Sequence, residues 1–366
     1  MNHFKFHPVG QGLFYTGSLD DGRYNFVYDC GSTTKKRDLF PAIDRYIDDL
    51  KERMSCAPTM DKPSIDFVVI SHLHKDHFNG LYQLSQMADI QKLFLPYLGR
   101  DEDFISLILA NLIFKDESQN ESKRELFIFM LELYEREEIY YHYGEQIHQE
   151  DDKQEDTYFQ YSVGTPLSVD EDKKPSWKFI FLNRAISDYV INNLSQKLKD
   201  YMKKKGIKKI VDLVEDVNRI QEIKEIYDEV FNGNDSLNDT STILIHHPLT
   251  CPHSSEQQNI TLLSGDVTAD WIFNKCITKT LEYHHCDYLQ VPHHGSDKNW
   301  RAWEKYMDII AQDYVISYGW GNGYKHPHFY TMDSINKKLI EKYMPNQILD
   351  HIHLVNQTHW WEYSID

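Results

Sequence analysis

Ile65-Asp-Phe-Val-Val-Ile-Ser-His-Leu-His-Lys-Asp-His-Phe-Asn-Gly80 is the stretch that decides the fold of this 366-residue chain. Phe67 to Ile70 is a short apolar, β-branched run that predicts a buried strand, and the polar cluster behind it falls where that strand ends. His72, His74, Asp76 and His77 are thereby gathered in one exposed loop at a strand's edge. Three imidazoles and a carboxylate within six residues are the nitrogen and oxygen donors that zinc, and often manganese or iron, accept. A lone histidine here would ordinarily be a hydrogen-bonded surface or core residue. Four donors in this order, between an apolar strand and Asn79-Gly80, point to metal.

Further along the chain the arrangement recurs, an apolar strand followed at once by chemistry. Asn259 to Leu263 runs into Ser264-Gly265-Asp266, and Tyr288 to Val291 into Pro292-His293-His294-Gly295-Ser296. Tyr314 to Ser317 leads through glycines to Tyr324-Lys325-His326-Pro327-His328, and Tyr24 to Tyr28 ends in Asp29-Cys30-Gly31-Ser32. Singly, these are modest signals: Ser-Gly-Asp is an ordinary turn, and Asp29 an ordinary turn-initiating residue.

The spacing from His72 to His77 resembles the second motif of the metallo-β-lactamase fold superfamily. The resemblance implies that His72 and His74 face one metal and Asp76 and His77 a second. Alternate residues of an extended segment point the same way, which suits that split. Leu262 to Asp266 is similar to the fourth motif and implies that Asp266 bridges two ions, its two oxygens each holding one of two hard cations. Asp29 and Gly31 are similar to the first motif, implying that Asp29 orients the histidine loop from behind. Val9-Gly10-Gln11-Gly12, Asn238-Asp-Thr-Ser241, the His293-His294-Gly295-Ser296 run and Tyr324 to Pro327 narrow the resemblance. They look like the soluble hydrolase domain of ComEC-type DNA-uptake proteins and its standalone relatives. Leu13 stands where that branch usually has Asp, and Lys325 where it usually has Gly. Asn238 and Ser296 are expected to join Asp29 in supporting the ligands.

Most of the superfamily supplies one more histidine between the second and fourth motifs. His142 and His148 lie there but read as a helix end, which leaves His293 or His294 to complete the site and His326 as the rival for the last ligand position. The resulting assignment puts His72, His74, Asp76, His77, Asp266 and His294 on metal, and Asp76, His293 and His326 in catalysis.

With 41% hydrophobic and 13% aromatic residues the chain is globular. The expected class is α/β (α+β), a metallo-β-lactamase αββα sandwich with a large, mostly helical insertion. Residues 1–100 form its first half, 101–235 the insertion and 236–366 the second half. Within the insertion, Phe104 to Phe114, Glu125 to Tyr141, Ile186 to Met202 and Ile207 to Phe231 have helical periodicity, Gln149 to Asp156 is an acidic loop, and Lys174 to Leu182 can return as a strand. No apolar run reaches the ~20 residues of a membrane span, and the start lacks a signal-peptide layout. Five cysteines without a C-x-x-C pair argue against a disulfide framework and for a reducing cytoplasm. The net charge of −18 disfavours a polyanionic ligand, but residues 101–160 alone hold 17 acidic and 5 basic side chains. The remainder is far closer to neutral, and nucleic acid stays open.

Two divalent ions, Zn²⁺ or Mn²⁺, sharing a carboxylate acidify a water into a nucleophile, with Asp76 orienting it and His293 or His326 donating to the leaving oxygen. That chemistry serves lactams, thioesters and phosphodiesters alike. The branch resemblance favours a phosphodiester substrate, possibly nucleic acid. The alternatives are a carbonyl-ester, lactone or thioester hydrolase, or a non-catalytic binding partner in a multi-protein system. The insertion is available for a homo-oligomer or a partner protein.

Overall fold

The structure is a computed structural model. It describes residues 1–53, 62–95 except 73, 139–141, 145–147, 156–164, 175–184, 188–208, positions between 219 and 230, 241–248, 259–268, 285–306, 310–343 and 348–365. Period-two alternation builds its centre. In β3 (Tyr24–Cys30) and β5 (Phe67–Val69), Phe26, Tyr28, Phe67 and Val69 point one way while Val27 and Val68 point the other. The first set meets Phe179 and Phe181 of β11 (Pro175–Arg184) and Leu244 of β12 (Ile243–Pro248) in an aromatic-rich core between two sheets. Phe26 and Phe67 stack at 5.2 Å, and Phe179 meets each edge-on at 5.0 Å, arrangements favoured by the ring quadrupole.

Among the described residues, the first sheet has seven strands. β17 (Trp361–Ile365), β1 (Asn2–Phe6), β2 (Phe14–Leu19), β3, β5, β7 (Leu93–Leu95) and β8 (Ile139–Tyr141) lie side by side. The second has eight: β16 (Ile352–Val355), β15 (Ile310–Ser317), β14 (His285–Gln290), β13 (Thr261–Leu263), β12, β11, β10 (Asp156–Gly164) and β9 (Glu145–Ile147). A short pair, β4 (Ser64–Ile65) and β6 (Asp89–Ile90), completes the strands of the described residues.

Helices cover both outer faces. α1 (Phe40–Arg53), α3 (Leu81–Met87) and α4 (Asp188–Lys205) pack Ile43, Ile47, Leu84 and Leu198 against Val27 and Val68. On the other side α5 (Asp297–Tyr306) and α6 (Phe329–Lys342) bury Trp300, Trp303, Ile335 and Leu339 against Ile245 and Leu289. The result is the four-layer αββα sandwich that the sequence predicts.

Among the described residues of the 101–235 stretch, strands stand beside helix α4. β8 extends the first sheet, β9 to β11 extend the second, and α4 belongs to the first helical layer. Ile139–Tyr141, read as the end of a helix, is strand β8, paired parallel to β7. The second sheet therefore resumes near residue 145 rather than 236, because the β-branched and aromatic content of residues 157–163 outweighs their acidic neighbours. Residues 104–114 lie outside the described residues, as do His142, His148, Asn238 and most of 149–156 and of 207–231.

β3, β5, β7 and β8 run parallel, as do β13 to β16. The histidine loop, Ser264-Gly265-Asp266, His293-His294 and the segment after Ser317 therefore all emerge at carboxyl ends of parallel strands. Open α/β sheets gather ligands at such ends.

Candidate metal centre

Immediately after β5 and His74, the short helix α2 (Lys75–Phe78) turns the chain back on itself, bringing the His77 ring to 4.1 Å from that of His72. Two close backbone approaches lock this turn. The Leu13 N–H donates to the Asp76 carbonyl at 3.0 Å, and Gly31 lies so near that a Cβ there would sit 2.3 Å from the His77 nitrogen. The loop is not exposed as its polarity suggests. His72 and His77 are buried, and Asp76 is half-buried.

Behind the loop stands Asp29, in the left-handed region at φ 57°. Its carboxylate accepts from the Ser71 N–H at 2.6 Å, the Ser71 hydroxyl at 2.7 Å and His77 Nδ1 at 2.7 Å. Burial pushes the Asp29 pKa up, against the pull of His77 and these hydrogen bonds. Asp29→Asn would turn an acceptor for His77 into a poorer one, and outer partners of this kind typically set metal affinity by ~10–100-fold. We expect a loss of that size in Zn²⁺ affinity by titration calorimetry, with the fold intact by circular dichroism.

Asp266 arrives from the other sheet. Gln290, buried at the end of β14, holds its turn: Oε1 accepts from the Ser264 N–H at 2.8 Å and the Gly265 N–H at 2.9 Å, and Nε2 donates to the Val291 carbonyl at 3.0 Å. Gln290→Leu strands two buried N–H groups, a cost of about 2 to 4 kcal/mol. It should appear as a matching drop in urea-unfolding stability together with weakened metal binding.

His293 and His294 both adopt left-handed backbone, φ 48° and 56°, which turns the two rings inward from consecutive positions. Ser296 contributes its backbone N–H to the His293 carbonyl at 2.9 Å. Lys325 is left-handed as well, φ 62°, a conformation glycine would adopt at less cost. Leu13 sits in the inter-sheet core.

The hydrogen bonds fix the tautomers. His77 Nδ1–H donates to Asp29 and His294 Nδ1–H to the Ser317 carbonyl at 2.8 Å. Asn299 donates to the Asp266 carbonyl at 2.8 Å, so its Oδ1 accepts from His293 Nδ1 at 2.9 Å. Ser71 Oγ donates to Asp29 and so accepts from His72 Nδ1 at 3.0 Å. All four imidazoles thus spend their N–H outward and aim an Nε2 lone pair inward, at carboxylate oxygens. His77 Nε2 is 3.1 Å from Asp266 Oδ1, His72 and His293 are each 3.7 Å from Oδ2, and His294 is 3.4 Å from Asp76 Oδ2. Nitrogen lone pairs facing carboxylate oxygens repel unless a proton or a cation lies between them. Buried His72 Nε2, His77 Nε2, His294 Nε2 and Asp266 Oδ1 have no hydrogen-bond partner, the state of a ligand set awaiting its ion.

Where no cation answers the carboxylates, protons on two of the imidazoles do. Although burial lowers both, Asp266 and Asp29 hold His77 well above its ordinary value, and Asp266 and Asp76 raise His294. His72, where burial dominates, falls well below. Asp76 is driven far down against its own burial, by His294 and His77. His326, buried beside His294 and His293, is lowered to about 3.

Two groups of donors, each within 4.8 Å, emerge: His72, His77 and Asp266, and Asp76, His77 and His294. The distribution differs from alternation along a strand. His77 is common to both groups, while His74 belongs to neither and meets His72 ring to ring at 4.5 Å. The helical turn of α2 adds His77 to the His72 side, 4.1 Å ring to ring. His326 lies one step out, 5.4 Å from His293 and 6.4 Å from His294 by ring centroids. Ser71, Gln290, Asn299 and the Ser317 carbonyl were not among the expected supports. Ser71 adjoins His72, and Gln290 is an isolated amide inside an apolar strand, the one signal available in advance.

Cys30 and Cys286 are buried; Cys56, Cys251 and Cys276 fall outside the described residues. No helix among the described residues is long and apolar enough to cross a membrane.

No family model matches the chain, and no curated protein does. Among solved structures it is similar to Zn²⁺-bound PqqB from Methylobacterium extorquens, with 9% identity over 99% of this chain and 100% of that one and a TM-score of 0.36. It is also similar to unliganded yeast PDE1, with 9% identity over 97% and 98% of the two chains and a TM-score of 0.36. At this distance neither likeness assigns an activity.

Proposed function

We propose that the protein is a metal-dependent hydrolase with a dinuclear centre, acting on phosphodiesters and most naturally on nucleic acid. The observation that carries the metal reading is the set of inward-facing Nε2 lone pairs opposed to Asp266 and Asp76. His72 and Asp266 would hold one ion and Asp76, His77 and His294 the other, since the one inward nitrogen of His77 can serve a single ion; Asp266 Oδ1 also faces His77 and His294, at 3.1 and 3.9 Å. Divalent ions bound there supply Lewis-acid charge and an acidified water.

The residues divide the remaining work. Asp76 stays ionised, since His294 and His77 hold its pKa down. So acidic a carboxylate orients a water better than it stores a proton. His293, with Nδ1–H committed to Asn299, presents a lone pair rather than a hydrogen, which suits the ligand position that other members of the superfamily fill from an earlier histidine. His326, neutral because of burial and its histidine neighbours, keeps a hydrogen to offer a phosphoryl or leaving oxygen. The phosphodiester choice rests on the ordered motifs shared with the DNA-uptake branch.

The test is metal analysis of the full chain, followed by rates on bis-p-nitrophenyl phosphate and on a lactone and thioester panel with Zn²⁺ or Mn²⁺. Metal-dependent phosphodiester hydrolysis is expected. Activity on the carbonyl panel with none on any phosphodiester would overturn the substrate class.

A further inference from the structure

Beyond the metal centre, the segment Tyr318-Gly-Trp-Gly-Asn-Gly-Tyr-Lys-His-Pro-His328 has an unusual surface. Trp320 is 68%, Tyr324 69% and, at the start of α6, Phe329 84% exposed. Three of the most exposed large apolar side chains of the described residues thus fall within ten positions, beside the candidate centre. Exposed aromatic rings clustered at a site mark a surface that meets a ligand.

The loop carrying them is held firmly. Asn322 Nδ2 donates to the Gly319 carbonyl at 2.6 Å and to the His326 carbonyl at 2.8 Å, while its Oδ1 accepts the His326 N–H at 3.0 Å. The Gly319 N–H donates to buried Gln11 at 3.1 Å, and the Trp320 N–H to Gln357 at 3.0 Å. Tyr324 lies nearly parallel to His326, with centroids 5.8 Å apart and planes at 26°, and its outer face is open. His326 in turn is 6.4 Å from His294. A ring laid on Tyr324 is therefore two stacking steps from the metal-facing imidazoles. The eleven residues 318–328 contain no acid, one lysine and two histidines, in a chain of net charge −18. The patch suits a ligand that pairs flat rings with negative charge.

We propose that Tyr324 and Trp320 form a stacking platform for unpaired nucleobases of a single-stranded nucleic acid whose backbone is presented to the metal centre. This deepens the hydrolase reading by naming its substrate class. Stacking on aromatic side chains is tolerant of base identity and is worth ~1–3 kcal/mol per base, roughly 5- to 150-fold in affinity.

The test is fluorescence anisotropy with the Zn²⁺-loaded full chain and phosphorothioate-linked probes, which resist hydrolysis. One probe is oligo(dT) and the other an abasic strand of the same length and charge. Wild-type protein should bind oligo(dT) at least tenfold tighter than the abasic strand. Tyr324→Ala and Trp320→Ala should each remove most of that preference, Tyr324→Phe should keep it, and Tyr189→Ala, exposed on α4, should not change it. Duplex DNA, whose bases are already stacked, should compete poorly. Equal binding of the two probes, no binding of either, or full competition by duplex would overturn the platform. The two readings fail separately. Hydrolysis of bis-p-nitrophenyl phosphate without base preference keeps the hydrolase and removes the platform, whereas base-dependent binding without hydrolysis keeps the platform and removes the hydrolase.

Discussion

Asp266→Asn is expected to reduce metal-dependent phosphodiester hydrolysis by about a thousandfold or more, because the shared carboxylate supplies several kcal/mol of charge balance to bound cations. The same change should cost the metal-free protein less stability than the metal-loaded one. Without metal, Asp266 faces His77 Nε2 at 3.1 Å and His72 and His293 at 3.7 Å, and only the proton that Asp266 and Asp29 hold on His77 answers its charge. The Asn oxygen can still accept from that proton. Thermal unfolding in EDTA should therefore show a smaller drop in the variant's melting temperature than unfolding with Zn²⁺. With Zn²⁺ in thousandfold excess over its dissociation constant, the wild type alone should gain ~4 kcal/mol. A variant that loses stability equally with and without metal would show that Asp266 is a structural anchor instead.

The second large effect is expected at Gly31. A Cβ there would come within 2.3 Å of the His77 nitrogen and 2.4 Å of the Asp76 carbonyl carbon. These are backbone atoms of the turn that aims two donors, so no rotamer change relieves the clash. Gly31→Ala should cost about 3 kcal/mol or more by urea unfolding and reduce metal binding along with it. Gly323→Ala, where an added methyl meets nothing within 4 Å, should stay within about 0.5 kcal/mol of wild type. Similar stability for the two variants would mean that the loop behind the histidines has room to move.

Both predictions turn on how the chain folds around residues 65–80, and much of that was legible in advance. Strand β5, Asp29 at the end of β3, Asp266 after β13 and the histidine pair after β14 could each be read as an apolar run ending in polar chemistry. Their meeting could not. It depends on Gly12 and Gly31 admitting close backbone contact with the histidine turn, and on Ser317 Oγ donating to the Gly12 carbonyl at 2.6 Å across 305 residues. The Val9-Gly10-Gln11-Gly12 motif is thereby explained as a latch between the two halves. Gln11 accepts from Gly319, and the neighbouring Leu13 N–H reaches the Asp76 carbonyl.

Two features misled a reading by composition. The acidic middle of the chain masked β9 and β10, which pair antiparallel with each other and, through β10, with β11; acidic side chains in and beside these short strands hide their alternation. The polarity of the histidine loop suggested exposure, yet His72, His77 and Asp266 are buried. Polar groups can be buried there because each finds a partner outward and leaves one lone pair for an ion within. Alternation along a strand pairs His74 with His72, and the two rings do meet at 4.5 Å; the turn of α2, which begins at Lys75, adds His77 at 4.1 Å.

Titration of Zn²⁺ into chelator-treated, full-length protein, with calorimetry for stoichiometry and mass spectrometry for retained metal, tests the paired-donor centre most directly. Binding of close to two ions per chain is predicted, falling to one or none in Asp266→Asn. No saturable binding by the folded wild-type chain would contradict it.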